Sequence, residues 1–177
     1  MIKFQRFSVD DHNLSRKVYF IFFIFSFIWL MLIFLAPLFT ALGGVFEKIS
    51  HFIYMFFSKV CHQNEDRSFH LFGYILGVCS RCVWIYLGFF IGTSFYPLKY
   101  KMNNIGLPSL LYLFVAVVIL LLDVMFDTIG IFHNNFFSRS VTGFLLGFVL
   151  PFYVIPGFVK FFDEVHSFVR NKLSYKE

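Results

Sequence analysis

VYFIFFIFSFIWLMLIFLAPLFTAL, residues 18–42, runs for 25 residues without a charged side chain. A helix rises about 1.5 Å per residue, so this run is long enough to cross the roughly 30 Å hydrocarbon core of a bilayer. The apolar core of a cleavable leader would be about 7–15 residues, with small residues at the cleavage site. The run is therefore read as a span that is retained.

Three shorter apolar runs follow. Residues 83–98 read VWIYLGFFIGTSFYPL, residues 107–122 end on Asp123, and residues 141–159 carry Pro151 and Pro156. The prolines are expected to kink the last run, and short spans still cross when their flanks snorkel. Of 177 residues, 59% are hydrophobic and 30 are Phe, more apolar surface than a soluble domain of this size covers. The fold expected is an all-α integral membrane protein: one transmembrane domain over 1–177, with about four transmembrane helices. The pairs Gly73/Gly77, Gly88/Gly92 and Gly143/Gly147 have the small-xxx-small spacing that lets membrane helices approach closely.

Between the first two runs, residues 45–60 read VFEKISHFIYMFFSKV, with apolar side chains at helical spacing. This is the pattern of an amphipathic helix lying in the interface. A short membrane-dipping hairpin formed with FHLFGYILGV, residues 69–78, is the alternative.

The formal charge is +5, but the basic residues sit at the termini and in short loops. They form no basic stripe, so nucleic acid is not an expected partner; the lipid bilayer is. Placing the N-terminus in the cytoplasm puts ten bases inside: Lys3, Arg6, Arg16, Lys17, Lys99, Lys101, Lys160, Arg170, Lys172 and Lys176. It leaves five outside: Lys48, Lys59, Arg67, Arg81 and Arg139. That bias predicts a multi-pass cell-membrane protein with both termini cytoplasmic.

In this topology the unusual polar residues gather outside. One segment holds Cys61, His62, Arg67, His70, Cys79, Arg81 and Cys82; another holds Asp123, Asp127, His133, Asn134, Asn135 and Arg139. Ionisable groups at membrane depth are costly and point to a site. The three cysteines of the chain lie within 22 residues. Cys79-x-x-Cys82 can place two sulfurs on one ion, and Cys61 with His62 would complete a Cys3His zinc set. Adjacent residues diverge in a regular helix, so the fourth place could instead fall to His70 or to water. With water the site is open: Asp123 or Asp127 would act as base, and Arg139 would grip an anionic headgroup. That makes a metal-dependent hydrolase acting on a lipid or envelope substrate one reading. The others are a thiol–disulfide component using Cys79 and Cys82, a non-catalytic subunit with a structural metal, and inert membrane cysteines. Asp123 and Asp127, four residues apart, share a helical face and also suit a helix-end ion pair with Arg139.

The stretch CHQNEDRSFHLFGYILGVCSRCVWIYLGFFIG resembles the signature of an uncharacterised prokaryotic membrane family classed as a domain of unknown function. The matching positions are Cys61, His62, Gln63, Arg67, Ser68, Phe69, Cys79, Arg81, Cys82, Ile85, Tyr86, Gly88 and Gly92. Asp123, Asn135, Arg139, Thr142, Gly143 and Gly147 resemble a later part of the pattern, although DVMFD stands where the family has Asp-Gly. The resemblance implies a small multi-span membrane protein with a metal or redox site, and it supplies no reaction.

Overall fold

The computed structural model describes residues 5–8, 12–100, 104–131 and 133–174. Six helices dominate: α1 (His12–Leu42), α2 (Val45–Phe57), α3 (Ser80–Lys99), α4 (Leu110–Ile129), α5 (Phe136–Val149) and α6 (Pro151–Ser174). The protein is an all-α membrane protein. Among the described residues, three helical stretches are long and apolar enough to cross a bilayer: Leu14–Leu42, Leu110–Ile129 and Phe136–Phe168. The expected second span, α3, is not one of them, because Ser, Thr, Tyr and Gly dilute its apolarity. It packs between α1 and α5, with α6 alongside.

Helices α1 and α3 run antiparallel. Tyr19 meets Tyr96 with ring centroids 6.4 Å apart, Phe22 meets Phe89 at 6.3 Å, and Trp29 meets Tyr86 at 5.5 Å. These residues recur at steps of three and seven, which keeps one stripe of each helix on the seam. On the other flank, α5 packs on α3 at backbone contact. A Cβ added to Gly88 would lie 2.7 Å from the Phe144 carbonyl oxygen; at Gly92 it would lie 2.5 Å from that of Phe148, and at Gly143 2.6 Å from that of Arg81. At Gly147 it would collide with the carbonyl of Ile85. Two of the three glycine pairs therefore make the close approach expected of them. Gly147→Ala should lower the unfolding midpoint in detergent by the equivalent of about 1–3 kcal/mol, the usual cost of overpacking. Gly157→Ala, where an added Cβ meets nothing within 4 Å, serves as the control. An unshifted midpoint for Gly147→Ala would refute the packing.

The third pair, Gly73/Gly77, is not helical. Residues 69–78 form a two-stranded hairpin, His70–Leu71 paired with Tyr74–Ile75. Phe72 and Gly73 take φ of +55° and +84° at its tip, the two-residue turn that suits the twist of a hairpin. Residues 69–78 thus pair with themselves as β-structure rather than forming one hairpin with residues 45–60, the alternative the sequence left open. A second short pairing joins Gln5–Ser8 to Asn104–Leu107 at the other end of α3.

Helix α2 forms where the amphipathic pattern places it and folds back along α1. The reversal uses Gly43 and Gly44, both with positive φ, a conformation open to glycine at no steric cost. Ser50 is buried and bonds the Ala36 carbonyl at 2.7 Å and the Thr40 hydroxyl at 2.6 Å. Phe57 is fully buried against Trp29.

Two other helix ends move. The third apolar run was expected to stop at Asp123; α4 instead continues through Asp127 to Ile129 and is capped at Gly130, because its carboxylates find partners. The fourth run breaks at Leu150 into α5 and α6, with Pro151 opening α6, the first-turn place where its missing N–H costs nothing.

Candidate metal centre

The chain leaves α2 at buried Phe57 and makes one more turn, with the Cys61 N–H donating to the Phe57 carbonyl at 2.9 Å. Gln63 then turns with φ +47°, and its side-chain amide donates to the Tyr54 carbonyl at 2.9 Å and to the Gly77 carbonyl at 2.8 Å. This clamp ties the end of α2 to the segment after the hairpin. The Gly77 N–H in turn donates to the Ile33 carbonyl of α1 at 3.2 Å. Cys79 follows as the N-cap of α3, and Cys82 lies in its first turn.

The result is a sulfur cluster: the Sγ atoms of Cys61, Cys79 and Cys82 all lie within 4.8 Å of one another. All three are free thiols, two buried and Cys82 half-buried, in an apolar core with Leu30, Ile33, Phe57 and Val83. The Cys79 N–H donates to Cys61 Sγ at 3.2 Å. The thiols of Cys79 and Cys82 also donate to that sulfur, as does the Gln63 N–H, and together they hold the Cys61 thiol well below its ordinary range. Hydrogen bonds to the charged form favour it.

The donor set fits a tetrahedral ion. Zinc–sulfur bonds of about 2.3 Å place sulfurs about 3.8 Å apart, a small contraction for a group already this close. Three close cysteines can thus bind a metal ion. His62 and His70 are both exposed, and neither belongs to the group of neighbouring ligand atoms. The structure does not bring His62 to the sulfurs, because Cys61 points inward and the next residue points out.

On the other flank of the first turn of α3 lies a polar cluster. Arg81 Nη2 donates to Asp123 Oδ2 at 2.5 Å. Asp123 also accepts from Ser138 at 2.8 Å and from Thr142 at 3.2 Å, while its backbone carbonyl accepts from the Asn134 amide at 2.9 Å. Asp127 accepts from the Asn134 N–H at 3.1 Å and from Arg139 at 3.2 Å, and Arg67 stands 3.7 Å away. Asn135 caps α5 by accepting from the Ser138 N–H at 2.8 Å, and Phe69 stacks on Phe136 at 5.1 Å. His133 is exposed and outside this cluster.

The two segments expected to converge do so, though the sulfurs and the carboxylates stand back to back across one helical turn. Arg139 pairs with Asp127, as was open from the sequence; the partner of Asp123 is Arg81. Gln63 was quoted only as part of a motif, and nothing in its residue type signals the clamp it forms.

The chain matches the family described as predicted membrane protein (DUF2085) over residues 61–153, a stretch that begins on Cys61 and holds both clusters. It is similar to a protein of Methanocaldococcus jannaschii described as uncharacterized, with 36% identity over 146 residues, 81% of this chain and 94% of the relative. A second such protein, from Methanothermobacter thermautotrophicus, is 32% identical over 96 residues, 52% of this chain and 82% of the relative. No solved structure matches.

Proposed function

We infer, of a chain that belongs to the DUF2085 family of predicted membrane proteins, that Cys61, Cys79 and Cys82 hold one zinc ion at the non-cytoplasmic end of the helix bundle. The observation that carries this reading is the mutual approach of three free sulfurs within 4.8 Å. A zinc ion with three protein ligands keeps a position open, the arrangement of catalytic sites. Bound there, it would supply Lewis-acid activation of a water, which suits hydrolysis of a lipid or envelope substrate.

Asp123 is saturated by Arg81, Ser138 and Thr142, which supports a positioning role for it rather than that of a general base. The same holds for Asp127 and Arg139, which are paired with each other. A second reading has its own support. Cys79 and Cys82 form a C-x-x-C pair at the N-terminus of α3, the spacing of disulfide-exchange motifs.

Elemental analysis with thiol titration separates the two. Protein purified in detergent without chelator is expected to carry about one zinc per chain and to release three titratable thiols on chelation. Metal-free protein with a single thiol before reduction would assign a Cys79–Cys82 disulfide. Reporter fusions at Lys101 and after Glu177 should both report cytoplasm; an external signal from either would sink the four-span arrangement.

A further inference from the structure

At the end of the bundle away from the cysteines, a groove of about 470 Å³ opens on the outer surface. Its walls are the last turn of α3 (Phe95, Lys99), the start of α4 (Pro108, Tyr112) and the α5–α6 break (Phe148, Phe152). It exists because α4 leans on α5, while its N-terminus is tied across the gap by the Tyr153 hydroxyl, which donates to the Ser109 carbonyl at 2.6 Å. The break at Leu150–Pro151 then carries α6 away beneath it.

Apolar walls facing hydrocarbon lose dispersion energy unless atoms fill the space between them. In a bilayer the filler is an acyl chain. What selects the molecule is the mouth of the groove. Lys99 is exposed there, its ammonium 5.5 Å from the centroid of the Phe152 ring. No acidic residue lines the groove, and the sequence has none between Asp66 and Asp123. A lysine near a helix end lays its stem on apolar surface and lifts its charge to the headgroups.

We propose that this groove is a binding site for one anionic phospholipid, with an acyl chain lying along Phe95 and Phe148 and the phosphate on Lys99. The site is independent of what the cysteines hold. Because the chain lies against the α5–α6 break, its presence supports the bend there.

The test is native mass spectrometry of the full chain released from nanodiscs of equal phosphatidylglycerol and phosphatidylcholine. About one phosphatidylglycerol should be retained per chain, preferred about fivefold, the effect of one basic residue near a membrane surface. Lys99→Gln, which keeps most of the stem, should abolish the preference; Lys99→Arg should keep it, and Lys48→Gln, at the other end, should not change it. Brominated-chain phosphatidylglycerol should quench a tryptophan introduced as Phe95→Trp, and millimolar inorganic phosphate should not relieve that quenching. Equal retention of the two lipids, or a preference that survives Lys99→Gln, overturns the proposal. Relief by phosphate alone would also overturn it, since it would show a simple anion site.

Discussion

Asp123→Ala is expected to cost on the order of 3 kcal/mol and to leave little folded protein, because removing one partner of a buried ion pair strands the other charge. The stranded group is Arg81, whose side chain is 19% exposed and whose Nε has no partner among the described residues. The loss reaches further than one bond. Asp123 sits on α4, Arg81 on α3, and Ser138 and Thr142 on α5, so a single carboxylate ties three helices. Asp123→Asn should cost less, since an amide oxygen still accepts from the hydroxyls. The double variant Arg81→Leu/Asp123→Leu should recover much of the loss, because replacing a buried pair by apolar groups is often neutral. Unfolding midpoints in detergent, with membrane abundance alongside, check all three. A midpoint for Asp123→Ala equal to wild type would show that the pair does not hold the bundle together.

Cys82→Ser is expected to weaken zinc binding by more than about 100-fold, beyond the 10–100-fold typical of losing a supporting contact. Cys61→Ser and Cys79→Ser should match it, because three sulfurs are the whole set of close ligand atoms among the described residues. Gln63→Leu should fall inside the supporting range. It keeps the backbone N–H beside Cys61 but loses the side-chain clamp on Tyr54 and Gly77. His62→Ala should leave affinity unchanged. Competition titration with a chromophoric chelator reads all five variants. An intact site in Cys82→Ser, or a lost one in His62→Ala, would overturn the three-sulfur assignment.

The helices were legible in the sequence because uncharged runs of membrane length have few other uses, and the glycine spacings on α3 and α5 announced their contact. The hairpin was not. Ten apolar residues such as 69–78 read equally as helix or strand, and a Phe-Gly turn with Phe72 at positive φ lacks the usual Asn-Gly mark. Helix α4 outruns its apolar run because Asp123 has a partner, 42 residues upstream at Arg81, that the sequence does not announce. At the site, cysteine clustering was visible in the spacing, whereas the choice against His62 depended on which way the chain turns after Phe57. The back-to-back placement of sulfurs and carboxylates could not be read at all, since it is set by the rotation of α3.

That rotation makes Arg81 a shared pivot. The residue lies between Cys79 and Cys82 in the first turn of α3, and its guanidinium reaches Asp123 of α4. Helix α4 turns most of its span outward, with 6% of it buried, and is tied in at its polar end through Asp123 and Asp127. The first turn of α3 is therefore a joint between two different chemistries, with sulfurs on one side and the anchor of α4 on the other.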